Sequence, residues 1–99
     1  MNFKENKIII IYKRGGNKMS VKAYILIETE PGKIKQIVDE LNEIKEVELV
    51  CGVTGPYDII AYTKTHDIDS MGYLVIKKVQ SIKGVKKTMS CLCTYCTTK

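Results

Sequence analysis

Cysteine and histidine are the residues here whose types and spacing could do chemistry without help from a fold. Three thiols crowd the end of the chain as Cys91-Leu92-Cys93-Thr94-Tyr95-Cys96, and Cys51 stands apart. A Cys-x-x-Cys pair supplies the soft donors that zinc and copper(I) take. This one continues a stretch of strand-like alternation, where a thiol more often packs as a small hydrophobe, so no metal site is expected. His66, the single histidine, has Asp67 and Asp69 near it but no nucleophile beside it, and the one arginine is Arg14. Acid–base work and oxyanion stabilisation are therefore thinly supplied, and neither an enzyme nor a cofactor is expected.

The formal charge of +5 suggests a nucleic-acid partner until it is divided along the chain. Residues 1–19 hold Lys4, Lys7, Lys13, Arg14 and Lys18 against Glu5 alone. From Ser20 onward eleven lysines face ten acids, a net charge of +1. Direct nucleic-acid binding loses its main support. The longest apolar run near the N-terminus, Ile8 to Tyr12, is too short for a membrane span or a signal-peptide core. Four cysteines without such a signal fit free thiols in the cytoplasm.

Further organisation starts near the N-terminus, where Lys13-Arg14-Gly15-Gly16-Asn17-Lys18 separates a 1–19 leader from a regularly patterned 20–99 domain. Two readings of the leader stand open. Lys7 to Tyr12 has the β-branched content of an extra strand. Alternatively, codons for Arg14-Gly15-Gly16 can form a purine-rich ribosome-binding sequence, with Met19 as the true start.

Val21 to Glu28 reads as a first strand. Pro31-Gly32 then opens a helix with Ile34, Ile37, Val38, Leu41 and Ile44 in one stripe. Val47 to Thr54 and Tyr57 to Thr65 form a hairpin through Gly55-Pro56. Asp67 to Ser81 is a second helix, with Asp67 or Thr65 as its cap and Ile68, Met71, Leu74, Val75, Val79 and Ile82 buried. Val85 to Thr94 closes the sheet, with Val85, Met89, Cys91 and Cys93 on one side. An internal echo, Ile44-Lys45-Glu46-Val47 against Ile82-Lys83-Gly84-Val85, supports two similar halves. The order βαββαβ predicts an α+β ferredoxin-like sandwich: a four-stranded antiparallel sheet with two helices on one face.

Strand alternation assigns Val21, Ala23, Ile25, Ile27, Val47, Leu49, Cys51, Val53, Ile59 and Ala61 to the helix-covered face. The opposite face keeps Tyr24, Leu26, Val50, Ile60, Tyr62 and Leu92, mixed with Lys22, Thr88 and Ser90. So large an apolar patch needs cover, and a second copy packed sheet to sheet is the economical partner.

Three segments carry a resemblance to a known family. Pro31-Gly32 at the first helix, Val53-Thr54-Gly55-Pro56-Tyr57-Asp58-Ile59-Ile60 across the hairpin, and Val85 to Ser90 on the last strand resemble the Lrp/AsnC effector domain, also called the regulation-of-amino-acid-metabolism domain. The likeness covers residues 21–94; Thr88-x-Ser90 stands where Thr-x-Thr is more usual. It implies an amino-acid or similar small effector, homodimers formed through the sheets, and higher oligomers such as a tetramer of dimers. The site it implies comprises Gly55, Tyr57 and Asp58 of the hairpin with Thr88 and Ser90. An acid for the effector's ammonium and hydroxyl or amide donors for its carboxylate suit that ligand. The same residues also read as turn and strand-entry residues. Most members carry a helix-turn-helix domain, for which this chain leaves no length, so a stand-alone domain serving a DNA-binding paralogue is expected. An ACT-like regulatory module and a small ferredoxin-like enzyme are the alternatives.

Overall fold

The computed structural model describes residues 20–95; the leader and its expected strand lie outside the described residues. Four strands and two helical segments follow in the expected order: β1 (Val21–Thr29), α1 (Ile34–Asn42), β2 (Val47–Gly52), β3 (Ile59–Thr65), α2 (Ile68–Tyr73) running directly into a π-helical segment (Leu74–Val79), and β4 (Val85–Leu92). The sheet order is β2-β3-β1-β4, with every pairing antiparallel. No helix among the described residues is long and apolar enough to cross a membrane.

The core forms where the first strand's alternation meets the helix stripes. Ala23, Ile25 and Ile27 of β1 and Ile59 and Ala61 of β3 are fully buried beneath Ile37, Leu41, Leu74 and Val79. Each large aliphatic side chain removed from water in this way contributes about 1.5–3 kcal/mol. The two chain echoes fold alike. Ile44 and Val47 donate backbone N–H groups to Leu41 and Ile44, and Ile82 and Val85 donate theirs to Val79 and Ile82. Each helix thus ends in the same pair of tight turns before its strand.

The second helix departs from the expected regular spiral. After Tyr73 it widens, and the Gln80 N–H reaches the Val75 carbonyl, five residues back, at 2.9 Å. The wider turn lets Leu74 and Val79, also five apart, both reach the core. Ile68, expected to be buried, is 54% exposed. Asp67, not Thr65, caps the helix: its carboxylate accepts the Ser70 N–H at 2.8 Å.

The hairpin strands are shorter than expected, ending at Gly52 and restarting at Ile59, so residues 53–58 form the connecting loop. Both edge strands also slip by one residue. Val47 and Leu49 face Thr63 and Tyr62 in turn, leaving Glu48 unmatched; Val85 and Lys87 face Thr29 and Glu28, leaving Lys86 unmatched. A bulge inverts alternation beyond it. Val47 and Val50 therefore both turn to the helices, while Leu49 and Cys51 turn away. On β4, Thr88, Ser90 and Leu92 lie in rows with the buried Ile27, Ile25 and Ala23, so they belong to the helix side, and Met89 and Cys91 do not.

The open face consequently has a different membership from the one expected, but the same apolar character. Leu49, Tyr62, Tyr24 and Cys91 form one row across the sheet, and Cys51, Ile60, Leu26 and Met89 the next. Tyr24 and Tyr62 stack with ring centroids 5.0 Å apart. Tyr24, Leu49 and Met89 remain 43%, 56% and 49% exposed. Cys51 and Cys91 carry free thiols, whereas Cys93 is disulfide-bonded, so the expectation of free thiols fails at that position.

Candidate functional site

The hairpin loop is tied down at both levels of structure. Its backbone closes through Val53 N–H to the Asp58 carbonyl and Asp58 N–H to the Ile27 carbonyl, both at 2.9 Å. Gly55 takes φ +127°, a region that side chains rarely enter, which is why the turn is built on glycine. The Asp58 carboxylate then crosses to the end of β1. Its Oδ2 accepts the Thr29 backbone N–H at 2.8 Å and the Thr29 hydroxyl at 3.2 Å. Oδ1 accepts no hydrogen bond among the described residues. Gly55 and Pro56 are exposed, and Tyr57 and Asp58 half-buried.

Gly55, Tyr57 and Asp58 thus come together on one rigid loop, but Thr88 and Ser90 do not join them. β1 separates their strand from β3. Thr88 is half-buried on the helix side, where its hydroxyl accepts from the Gln80 side chain at 2.9 Å. Ser90 lies exposed in the row of Ile25. Within one chain, Ile27 of β1 stands between the two groups, paired with Thr88 on one side and accepting the Asp58 N–H on the other.

Two contributors escaped the sequence reading. Thr29 is the partner that fixes Asp58, and Gln80 fixes Thr88; neither residue type signals such a role, and each pairing depends on tertiary contact. His66 lines a cleft at the other end of the sheet with Lys45, Glu46, Lys64, Thr65 and others. There Lys78 holds Glu46 at 3.1 Å. Partial burial pushes the Glu46 carboxyl up, but the Lys78 hydrogen bond, its own backbone N–H and the Lys78 and Lys45 charges outweigh this and leave it below its ordinary value. No group of three or more His, Cys, Asp or Glu side chains among the described residues could hold a metal ion.

Residues 22–94 match the family model of the Lrp/AsnC ligand binding domain. The chain belongs to the Lrp/AsnC family. An uncharacterized HTH-type transcriptional regulator of Pyrococcus horikoshii is 32% identical over 74 residues, covering 75% of this chain and 47% of that protein. One from Pyrococcus abyssi is 31% identical over the same shares. The chain spans about half the length of these curated relatives. Among solved structures, a Thermus thermophilus protein aligns with TM-score 0.75 at 25% identity, covering 80% of this chain and 99% of that one. Escherichia coli AsnC aligns at TM-score 0.76 and 18% identity, covering 95% and 72%. A Neisseria meningitidis transcriptional regulator, solved as its L-Met complex, aligns at 0.73 and 14%, covering 91% and 68%. Lrp/AsnC membership makes this a regulatory ligand-binding domain of the kind found in transcription regulators.

Proposed function

We propose that this Lrp/AsnC domain senses an amino acid in the cytoplasm at the Gly55–Asp58 loop and self-associates through its open sheet face to modulate transcription regulation. The observation that carries the sensing is the loop itself. Asp58 is pinned by Thr29 through one oxygen, so the other is held at a fixed place on an exposed turn, where it can accept a ligand ammonium. Preorganisation of that kind lowers the ordering cost of binding.

Self-association rests on the two apolar rows of the open face. A second copy related by a twofold axis covers both patches at once. Because Thr88 and Ser90 lie apart from the hairpin in one chain, they contribute to the effector only where copies meet. That arrangement would make the effector sensitive to assembly beyond the dimer.

A thermal-shift screen of the full chain against the twenty amino acids tests the sensing. A ligand at a hundred times its Kd stabilises by about 2.7 kcal/mol, and each kcal/mol raises Tm by about 4–8 °C in a domain of this size. At least one amino acid should therefore shift Tm by roughly 10 °C or more. A flat screen at millimolar concentrations removes amino acids as the effector class.

A further inference from the structure

The function proposed above leaves one motif unused, the Cys-x-x-Cys at Cys93-Thr94-Tyr95-Cys96. Cys93 is disulfide-bonded, while Cys51 and Cys91 carry free thiols. The chain has four cysteines, so Cys96 is the partner that remains for Cys93. The entropy that a cross-link removes from the unfolded chain grows with the loop it closes, and a bond across residues 93–96 closes a very short one. As a staple it is poorly placed. In the cytoplasmic setting proposed above disulfides are uncommon, and those that form are mostly ones that cycle.

The surroundings of Cys93 favour cycling. Its backbone N–H extends the ladder of β4 by donating to the Lys22 carbonyl at 2.8 Å. The register that sets Ala23 against Leu92 and Tyr24 against Cys91 accordingly places Cys93 opposite Lys22, and Lys22 in turn pairs with Lys64. By alternation Cys93, Lys22 and Lys64 form a row at one end of the open face, beside the row of Cys91, Tyr24 and Tyr62. Two ammonium groups abreast repel each other, and neither lysine forms an ion pair among the described residues. A thiolate at Cys93 relieves that repulsion, whereas a neutral disulfide does not. Cys91, which faces Tyr24 instead of a lysine, keeps a free thiol. Cys93 is half-buried and followed by exposed Thr94 and Tyr95, so a small thiol can reach the bond.

We propose that Cys93 and Cys96 form a reversible thiol–disulfide site, with Lys22 and Lys64 stabilising the thiolate that Cys93 becomes on reduction. The reductant is a cellular thiol of the glutathione class. Its thiolate attacks the Cys96 sulfur; the S–S bond breaks, and Cys93 leaves with the electron pair as a thiolate beside the two ammoniums. A second reductant thiolate attacks the first reductant's sulfur in the mixed disulfide, and Cys96 leaves and takes a proton. Two thiols thus become one disulfide and two electrons enter the domain, while the second proton goes to solvent. The same steps in reverse, begun by the Cys93 thiolate on the oxidised reductant, restore the bond. The site is separate from the hairpin, since Lys22 lies at the start of β1 and the hairpin closes on Ile27 near its other end.

Counting thiols on the full chain, by mass after alkylation under denaturing conditions, tests the proposal. Without reductant the protein should take two alkyl groups, at Cys51 and Cys91, and Cys93→Ser should take three because Cys96 is released. Across glutathione redox buffers reaching millimolar reduced glutathione, the wild type should pass from two groups to four. A structural disulfide resists that pool. In Lys22→Gln/Lys64→Gln the equilibrium constant for reduction should fall roughly threefold, the effect of two charges near the surface. Lys83→Gln/Lys87→Gln matches it in charge and should leave the constant unchanged, Lys87 lying opposite Glu28 at the far end of the face. Melting curves verify that the variants fold. Four groups without reductant, two groups retained throughout the glutathione range, or equal shifts in the two lysine pairs would overturn the assignment.

Discussion

Asp58 and Thr29 stand 29 residues apart in sequence, yet one carboxylate oxygen of the aspartate receives both the backbone N–H and the hydroxyl of the threonine. The contact joins the hairpin loop to the end of the central strand β1. It also means that Asp58 has a structural duty as well as the ligand-binding role proposed for it, and the two can be separated by substitution.

Asp58→Asn keeps an oxygen acceptor for Thr29 but removes the charge. Its Tm should fall little, while effector affinity drops at least about tenfold, the share of one charged hydrogen bond. Asp58→Ala removes the acceptor too and should cost about 1–3 kcal/mol of stability by leaving the Thr29 N–H unsatisfied. Thermal melts and calorimetry on both variants check this; equal effector affinity in wild type and Asp58→Asn would leave the residue only its structural duty.

Leu26 lies at the middle of the open face, between Ile60 and Met89. Leu26→Asp should reduce the protein from a dimer or larger assembly to a monomer by light scattering, because a buried unpaired charge is costly at a sheet-to-sheet contact. The thiols of Cys51 and Cys91 share that face. They should react slowly with a thiol reagent in the assembled protein and quickly in the variant. A wild-type monomer at micromolar concentration contradicts the sheet-to-sheet proposal.

Two glycines should respond with opposite signs. Gly84 has φ +99°, and an added methyl would stand 3.0 Å from Lys33 Cβ and 3.1 Å from Ile37 Cδ1. Gly84→Ala should therefore destabilise by about 1–3 kcal/mol through backbone strain, with crowding in addition. Gly72 meets nothing within 4 Å. Gly72→Ala should stabilise by up to about 1 kcal/mol, the helix-propensity difference. Denaturant melts of the two variants decide both signs.

The order of elements was legible because it rests on local signals. Pro31-Gly32 marks the turn ahead of α1, although the helix itself starts only at Ile34 and Gly32 stands outside it at φ +78°; Gly55 marks the hairpin turn, and the 44–47 and 82–85 echoes the two helix ends. The face assignments of the edge strands were not. Val47-Glu48-Leu49-Val50 alternates acceptably in either phase at its ends, and only pairing against Thr63 and Tyr62 shows that Glu48 drops out. Lys86 hides the same slip on β4, which is why alternation alone puts Thr88, Ser90 and Leu92 on the wrong side. Gly55, Tyr57 and Asp58 of the proposed site are neighbours in sequence and so can be grouped from it, but the tie from Asp58 to Thr29 could not be, since that link depends on a strand pairing that no local pattern encodes. The widened turn after Tyr73 is equally silent in sequence.

Acid should weaken the fold partly through the cap of α2. Hydrogen bonds from Ser70, then the neighbouring His66, hold the Asp67 carboxyl below its ordinary value. Its folded pKa is thus depressed. The stability it contributes is present above the ordinary carboxylate range of about 4 and is lost as pH falls through the folded value. Glu46 acts in the same direction. Asp67→Asn should keep the cap near neutrality and flatten the decline of Tm below about pH 4. An unchanged acid limb in Asp67→Asn would assign that decline to other carboxylates.

The most direct test of amino-acid sensing is titration calorimetry of the full chain with the amino acid that most raises its Tm. A sensor of this class gives saturable heat at one effector per chain or per pair of chains, with affinity lost in Asp58→Asn. No saturable heat from any of the twenty amino acids up to millimolar concentration would contradict it.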